Sequence, residues 1–283
     1  MNGTMQVILV LCVTLCGLVV VFVDVGFLIE PSELPRDCAS FKWDSPPDLS
    51  RFRHHPVLSH EQQQAKIYFH KQQMERQIIS MDHSGKHFFQ RNWEPSYSCN
   101  VNARMGCPGD GGKWVCDPHH FLGTENCVVY SIGSNDEFSF EEAVYDFNPK
   151  CEIHTFDHAT AATEKPPFLH FHPWKLANHD SLSESKFTIR SIMRRLGHHN
   201  ISVLKIECGG CELDSFNAVT FPPGNGAIRQ ILMEVHFVNG PEPVHNLFSF
   251  LSNVGYAIFS KEPNIQYSNG NAVEFALVHL GNS

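Results

Sequence analysis

From residue 127 onward, short apolar runs alternate with amphipathic stretches. Apolar runs bounded by turn residues predict buried strands at 127–132, 151–156, 202–207 and 230–235, with a further short strand at 168–171. Apolar positions three and four apart predict helices from Ser139, at 181–197 and at 243–253. The final strands, 256–260 and 272–280, are separated only by a loop, so we expect them to pair antiparallel. This order predicts an α/β fold with a Rossmann-like, doubly wound, mostly parallel sheet and an antiparallel edge strand.

The chain before this domain has a different pattern. Residues 59–80 predict a helix capped by Ser59, and residues 81–126 are loop-like and contain Gly-Asp-Gly-Gly at 109–112. Residues 30–58, rich in Pro, Asp, Ser and Arg, predict an irregular stem. We therefore divide the chain into a membrane-inserting segment (1–29), a stem or linker (30–58), a helical and cysteine-rich segment (59–119) and the α/β domain (120–283).

Nineteen residues from Met5 to Val23 contain no charge, Pro or Asn. A helix rising about 1.5 Å per residue would nearly cover the ~30 Å hydrocarbon thickness, so the run predicts a membrane-inserting helix. The run is long for a cleaved signal peptide, and Asp24-Val25-Gly26 is a poor cleavage site, which favours a signal-anchor with the domain in the Golgi or endoplasmic reticulum lumen. A cleaved signal and a secreted protein remain the alternative, and no preceding Lys or Arg indicates the orientation.

The cysteines favour an oxidising compartment. Ten are present, two of them inside the apolar run, and four of the remaining eight lie between residues 99 and 127. Those four (Cys99, Cys107, Cys116 and Cys127) lack the paired CxxC spacing of zinc knuckles, so we expect disulfides, with the connectivity left open. Asn200-Ile201-Ser202 is a glycosylation sequon, which agrees with a luminal location.

Charge and histidine content exclude two classes of partner. The net charge is −9, and no dense Lys and Arg cluster exists, so we expect no nucleic-acid binding. The eighteen histidines are scattered along the chain. The pairs His54-His55, His119-His120 and His198-His199 lack a metal-ligand spacing with Cys or Glu, so we interpret most histidines as surface residues and expect no metal site.

The loop after the first predicted strand, at 133–138, is where such a fold binds its ligand. Gly133 permits a sharp turn, Ser134 lets a ligand approach the main chain, and Asn135 follows. One glycine and two acidic residues stand where a pyrophosphate-binding loop has three glycines, which disfavours NAD and favours the cationic sulfonium of S-adenosylmethionine. Asp157 closes the second strand, near the ~20-residue spacing at which an acidic residue binds a ribose hydroxyl; a helix N-cap is its alternative role.

Further ionisable residues follow the later strands. Glu207, and Glu212 beyond a Gly-Gly turn, end the fourth strand beside the expected ligand crevice. Glu234 and His236 end the fifth; we expect them to point to opposite sides, with only one facing the crevice. His236 has a pKa suited to a general base, and a hydrogen-bonded structural histidine is the alternative. Cys208 and Cys211 form a CxxC that favours a disulfide or structural role over a redox dithiol.

These motifs together resemble the FkbM-like methyltransferases, and more closely animal methyltransferase-like proteins of the secretory route, of the methyltransferase-like protein 24 type. The resemblance covers about residues 105–283. It is carried by GDGGKWVCDP, CVVYSIGSNDEFSFEEA, HTFD, FHPWKLA, RRLGHHNISVLKIECGGCE, ILMEVHF and LFSFLSNVGYAIFSKEPN. It implies a class I methyltransferase fold, S-adenosylmethionine at Gly133 and Asp157, and transfer to a hydroxyl oxygen of a small molecule or a glycan.

The fourth strand departs from this pattern at two positions. The family reads roughly Lys-Ile-Asp-x-Glu-Gly-x-Glu, whereas here Glu207 replaces the Asp and Gly209 replaces the central Glu. From their positions after the predicted strands we expect Glu207, Glu234 and His236 around the acceptor, with Gly133, Ser134, Asn135 and Asp157 at the cofactor. The alternative is a catalytically inactive Rossmann-like binding module, which the loss of the central carboxylate favours.

Overall fold

The protein is described by a computed structural model over residues 10–14, 17–21, 60–108, 111–158, 165–222, 226–264 and 270–281. Its helices and strands, in chain order, are β1 (Val10–Thr14), β2 (Gly17–Val21), α1 (His60–Arg76), α2 (Gly85–Arg91), β3 (Asn102–Met105), β4 (Lys113–Cys116), α3 (Pro118–Phe121), β5 (Val128–Ile132), α4 (Ser139–Phe147), β6 (Glu152–Phe156), β7 (Leu169–His172), β8 (Lys175–Leu176), β9 (Lys186–Phe187), α5 (Ile189–Leu196), β10 (Ile201–Ile206), α6 (Cys211–Ser215), β11 (Ile228–His236), α7 (Pro241–Asn253), β12 (Tyr256–Pro263) and β13 (Ala272–His279).

A seven-stranded sheet with the spatial order β12-β13-β11-β10-β5-β6-β7 forms the centre of the fold. The strands β7, β6, β5, β10 and β11 are parallel, and the order reverses between β5 and β10, as in a doubly wound nucleotide-binding sheet. Strand β13 runs antiparallel to both of its neighbours, β11 and β12. This is a Rossmann-like, doubly wound arrangement with one antiparallel strand inserted next to the edge.

The predicted strands agree with the sheet, with one correction of topology. The antiparallel strand expected at the edge, β13, lies one place inside it, because β12 pairs with its outer side. The two late strands do pair antiparallel as expected. The last strand is therefore inserted between β11 and β12, which the sequence pattern does not reveal.

Two helix predictions and one loop prediction need correction. The helix predicted at 181–197 begins only at Ile189, since Thr188 is its N-cap and accepts a hydrogen bond from the backbone N–H of Ser191. Before it, β9 pairs with β8, because the serine-rich stretch there favours turns over helix. The region 81–126, expected to be loop, contains α2, the hairpin β3–β4 and α3. The helix predicted at 59–80 ends at Arg76, and its proposed cap, Ser59, lies outside the described residues.

The two faces of the sheet bury two apolar cores. Alternate residues along each strand point to opposite faces, so Tyr130 and Leu204 join the core under α5 and α7, whereas Val129 and Val203 join the core under α4 and the hairpin β3–β4. The hairpin is attached to the sheet by Gln230, whose buried amide accepts from the N–H of Cys116 at 2.9 Å and donates to its carbonyl at 2.8 Å. Hairpin and sheet therefore share one interior.

The N-terminal apolar run does not form the helix predicted for residues 5–23. Its described residues form two antiparallel strands, β1 and β2, with Thr14 opposite Gly17. An unbroken apolar run rich in Val does not distinguish strand from helix by periodicity, which explains the error. Within the described parts of the chain, no helix combines the length and the apolar character needed to span a bilayer. The stem predicted at 30–58 lies outside the described residues.

Disulfides form as the cysteine pattern predicts. Cys99 bonds to Cys116, Cys127 bonds to Cys151, and Cys107 is also disulfide-bonded. The CxxC pair, Cys208 and Cys211, forms a third described disulfide at the turn after β10. The bond from Cys127 to Cys151 connects the starts of the adjacent strands β5 and β6, so it closes the loop that contains α4.

Candidate functional site

The loop between β5 and α4 takes an unusual backbone path. Gly133 has φ 79°, and Asn135 and Asp136 also have positive φ, at 48° and 61°. A Cβ at position 133 would collide with the carbonyl oxygen of Glu207 at the end of β10, so only glycine allows the two strand ends to approach this closely. The loop ends where Glu137 accepts a hydrogen bond from the N–H of Ser139, the first residue of α4, at 2.8 Å.

Asp157 lies beside this loop, as the spacing from Gly133 predicts. Its side chain accepts a hydrogen bond from the backbone N–H of Asn135 at 2.9 Å, and the residue is 6% exposed. Residues 159–164, where a helix capped by Asp157 would begin, lie outside the described residues, so the N-cap alternative stays open. Four of the predicted site residues, Gly133, Ser134, Asn135 and Asp157, therefore lie together at the carboxyl ends of β5 and β6.

A chain of alternating charges is buried at the carboxyl end of β10. Glu207 forms ion pairs with Lys205, at 2.8 Å, and with Lys113 of β4. Lys113 in turn lies 3.0 Å from a carboxylate oxygen of Glu274 on β13. Glu141 of α4, fully buried, faces Lys205 from the other side. We call these five residues, Glu141, Lys205, Glu207, Lys113 and Glu274, the charge chain.

The charge chain shifts the pKa values of its members. Burial opposes ionisation of Glu207, yet Lys113 and Lys205 lower its pKa to about 2. Burial raises the pKa of Glu274 to about 7 against the influence of Lys113. The pKa values of both lysines are raised, because their carboxylate neighbours outweigh burial. Glu207 is therefore a permanent anion and a poor general base, although its position at the crevice is the predicted one.

His236, at the end of β11, lies between two carboxylates. Its Nδ1 is 3.1 Å from Oε1 of Glu212, which also accepts the backbone N–H of His236 at 3.0 Å. Its Nε2 is 3.4 Å from Oε2 of Glu234. The hydrogen bond to Glu212, opposed by burial and assisted by both carboxylate charges, raises the pKa of His236 above its ordinary 6.5. The imidazole is 27% exposed, so a solute can reach it.

The expectation that Glu234 and His236 point to opposite sides is wrong. Residues two apart on a strand share a face, because side chains alternate with a period of two. Glu234 also accepts a hydrogen bond from the side chain of Asn264 at 2.7 Å, in the segment after β12. Both predicted residues consequently belong to one group with Glu212.

Gly209, where the resembling family has a carboxylate, lies in the turn between β10 and α6. Its φ is 64°, and that of Gly210 is 114°, so both take the left-handed conformation that glycine favours. A Cβ at position 209 would meet open space. The departure therefore removes a side chain from the rim of the crevice, and leaves Glu212 to bind the turn through the N–H of Gly210 at 2.9 Å.

The residues fit S-adenosylmethionine, which carries ribose hydroxyls, an amino acid and a positive sulfonium. Ser134 is 2% exposed, and its hydroxyl oxygen has no hydrogen-bond partner among the described residues. Such a buried polar atom at a ligand-binding loop is satisfied when a polar ligand binds. Asp157 and Asp136 supply negative charge to the same loop, which suits a cation.

The sequence pattern alone does not identify Lys113, Lys205 and Glu274 as residues of the site. Lys113 comes from the hairpin, 94 residues before Glu207, in a region interpreted as loop. The one available signal was the apolar strand pattern around Lys205, since a lysine inside a buried parallel strand requires a carboxylate partner. The residues that flank Lys113 and Glu274 in the sequence give no sign that these two side chains form an ion pair.

Comparison with known proteins gives a family match and several solved structures of low similarity. A family model described as a methyltransferase domain matches residues 55–279. No curated protein matches the sequence. Similar solved structures include a Methanococcus jannaschii fibrillarin pre-rRNA processing protein, with 11% identity, a TM-score of 0.36 and coverage of 56% of this chain and 69% of that chain.

Two further structures extend the list of similar folds. A Geobacter metallireducens precorrin-6y C5,15-methyltransferase has 12% identity, a TM-score of 0.32 and coverage of 56% of this chain and 83% of that chain. A Burkholderia thailandensis 1,6-didemethyltoxoflavin-N1-methyltransferase with bound S-adenosylhomocysteine has 9% identity, a TM-score of 0.31 and coverage of 80% and 92%. The family match spans most of the chain; the protein belongs to the family with this methyltransferase domain, and its cofactor is S-adenosylmethionine.

Proposed function

We propose that the protein methylates a hydroxyl oxygen of a small-molecule or carbohydrate acceptor, with His236 as the general base. The observation that carries the proposal is the position of His236 between Glu212 and Glu234 at the end of β11. A hydroxyl is a weak nucleophile until its proton is removed, and a base that titrates near neutral pH is most effective for that step. The net charge of −9 favours an acceptor other than nucleic acid.

Each side chain of the site has a separate role in the proposed methyl transfer. S-adenosylmethionine supplies an electrophilic methyl group on a sulfonium. Nδ1–H of His236 donates to Glu212, which leaves Nε2 to accept the hydroxyl proton as the new O–C bond forms. Glu212 and Glu234 stabilise the resulting imidazolium. Glu207, held between Lys113 and Lys205, orients the strand end and takes no proton, because its pKa of about 2 keeps it ionised.

His236→Ala tests the base. We expect methyl transfer to fall by about 10²–10⁴-fold, the usual contribution of a general base, while affinity for S-adenosylhomocysteine is retained. Transfer is measured with labelled S-adenosylmethionine over a panel of glycans and hydroxyl-bearing small molecules, and binding by calorimetry. His199→Ala, which removes an exposed histidine, is the matched control.

The pH profile separates a base from a structural histidine. Turnover should rise with pH through the pKa of His236, which lies above 6.5. Glu234→Gln removes one carboxylate that raises this pKa, so the rising limb should move to lower pH. A His236→Ala protein with undiminished turnover would eliminate His236 as the base.

The second candidate function is a catalytically inactive binding module, favoured by Gly209 in place of a carboxylate. The same assay distinguishes the two. Wild-type protein that binds S-adenosylhomocysteine but methylates no member of the panel supports the inactive module, whereas transfer that depends on His236 supports the enzyme.

We also propose that the protein acts in the oxidising secretory pathway, at a membrane through its N-terminal segment or in secreted form. The support is the three described disulfides and the disulfide-bonded Cys107. Alkylation with a mass-shifting reagent, before and after reduction, checks it on protein from intact cells. Freely alkylated Cys99, Cys116, Cys127 and Cys151 without reductant would overturn the assignment.

A further inference from the structure

Three metal-ligating side chains meet on the face of the sheet opposite the charge chain. Glu152 and His154 lie on β6, and His198 lies in the loop between α5 and β10. Nε2 of His154 is 2.9 Å from Oε1 of Glu152, and Nε2 of His198 is 3.4 Å from the same oxygen. The three ligand atoms all lie within 4.8 Å of one another, with no ion present.

The second nitrogen of each ring is held by a neighbour. Nδ1 of His154 is 2.9 Å from Nε2 of His172 on β7, and Nδ1 of His198 is 2.6 Å from the hydroxyl of Tyr130 on β5. In the ion-free protein Nε2–H of His154 donates to Glu152. When an ion takes the place of that proton, the proton lies on Nδ1 of both rings, so that His154 donates to His172 and His198 donates to Tyr130. Both Nε2 lone pairs and the Glu152 carboxylate then face one point. Such outer hydrogen bonds are the usual means of orienting metal-binding histidines.

We propose that Glu152, His154 and His198 bind a divalent transition metal ion, with Zn²⁺ as the ion that their chemistry best fits. Ligands about 2.0–2.1 Å from a tetrahedral zinc stand roughly 3.3 Å apart, close to the separations found here. Two imidazoles and a carboxylate suit zinc and its neighbours, whereas Mg²⁺ and Ca²⁺ prefer oxygen ligands. The fourth position is left to solvent.

The three side chains differ in exposure, so that an ion can reach the site although the histidines are largely buried. His154 and His198 have side chains 5% and 13% exposed, whereas Glu152 is 46% exposed. An ion can therefore enter from the side of Glu152. Once bound, it would connect β6 to the loop before β10, two segments joined otherwise through β5.

The site is separate from the candidate active site. Glu152 and His154 occupy the first half of β6, and their ring neighbour Tyr130 packs in the core under α5 and α7. Another potential ligand group, Cys208, Cys211 and Glu212, lies beside the crevice, but its two cysteines form a disulfide and supply no thiolate. Of the two potential ligand groups among the described residues, the histidine site is therefore the one that can bind zinc in the oxidised protein.

The test uses the full-length, oxidised protein after dialysis against a chelator. We expect calorimetry to show one Zn²⁺ per chain, and Co²⁺ to give the visible absorption of a nitrogen- and oxygen-ligated ion. His198→Ala and Glu152→Gln should each weaken binding by about 100-fold or more. Tyr130→Phe, which removes only the hydroxyl beside His198, should weaken it by about 10-fold, at the lower end of what outer-shell changes cost.

His199→Ala is the matched control, because it removes the exposed histidine next to His198 and should leave the affinity unchanged. Thermal unfolding and S-adenosylhomocysteine binding establish that each variant is folded. Glu152→Gln is the decisive variant where a histidine change disturbs folding, since its side chain is half exposed. Wild-type protein that binds no zinc, or equal affinity in wild type and in folded Glu152→Gln and His198→Ala, overturns the proposal.

Discussion

The sheet carries two polar clusters on opposite faces, and the polar groups of the two clusters are stabilised in the interior in different ways. The charge chain, on the α4 face, alternates three carboxyl groups with two lysines. At its centre Glu207 has a pKa of about 2 and a salt bridge at each oxygen. The histidine cluster (Glu152, His154, His172 and His198), on the α5 face, is neutral at its centre. Burial lowers the pKa of His154 to about 4, despite its hydrogen bond with Glu152.

This difference indicates which cluster has a structural role and which can bind an additional ligand. Paired ions in a dry interior hold each other in place, because separating them leaves a buried charge. Neutral imidazoles keep lone pairs that are available to an ion or a proton. The charge chain therefore provides a rigid support for the crevice, and the histidine cluster retains binding capacity.

The largest effect is expected when the charge chain loses its central cation. Lys113→Met removes the partner shared by Glu207 and Glu274, and breaking a buried pair from one side costs about 3–5 kcal/mol in free energy of unfolding. Urea unfolding measures it. Lys150→Met is the control, since Lys150 and Glu125 are 67% and 84% exposed and should contribute within about 0.5 kcal/mol. Equal losses in the two variants would contradict a special role for the chain.

Acidification should separate the clusters by pH window in metal-free protein. His154 has a pKa lowered from 6.5 to about 4, so its contribution is present above pH 6.5 and is lost as the pH falls through 4. The contribution of Glu207, lowered from 4.5 to about 2, is present above pH 4.5 and is lost as the pH falls toward 2. Shifts of this size correspond to roughly 3 kcal/mol each.

The measurement is the free energy of unfolding between pH 8 and pH 3, with chelator present. His154→Gln should flatten the curve between pH 6.5 and 4 and leave its slope at lower pH intact. A variant with the wild-type slope in that upper window would assign the loss of stability to other groups.

The smallest effect concerns Asp157, which follows β6, the strand that carries two residues of the histidine cluster. That strand begins at the histidine cluster and is followed by Asp157 at the cofactor loop. Asp157→Ala should weaken S-adenosylhomocysteine binding by about 1–3 kcal/mol, the range for a charge-assisted hydrogen bond, without changing zinc affinity. Calorimetry measures both ligands, and Asp146→Ala, an exposed change on α4, is the control. Unchanged cofactor affinity would place the cofactor site elsewhere.

Local patterns were sufficient for the central strands and for the turn after β5. β5, β6, β10 and β11 agree with the predicted runs to within two residues, because a buried parallel strand is apolar throughout. The proximity of Asp157 to the loop at Gly133 also follows from their positions after adjacent strands, whereas their role in cofactor binding stays a prediction. The predictions of a helix in the N-terminal run and at 181–188 are wrong, because apolar content or spacing in those segments does not distinguish the helical period from the strand period.

What the sequence determined by itself was the set of buried strands, the glycine turn and the presence of disulfides, since each depends on residues close together in the chain or on composition. The tertiary structure alone decided that Lys113 would pair with Glu207, 94 residues away, and that His198 would contact His154 on the same face of the sheet. Those contacts depend on strand order and on which face each side chain takes. Strand order and side-chain face are set only when the whole sheet assembles. A buried charge or imidazole is then stabilised by a partner that is distant in the sequence but close in space.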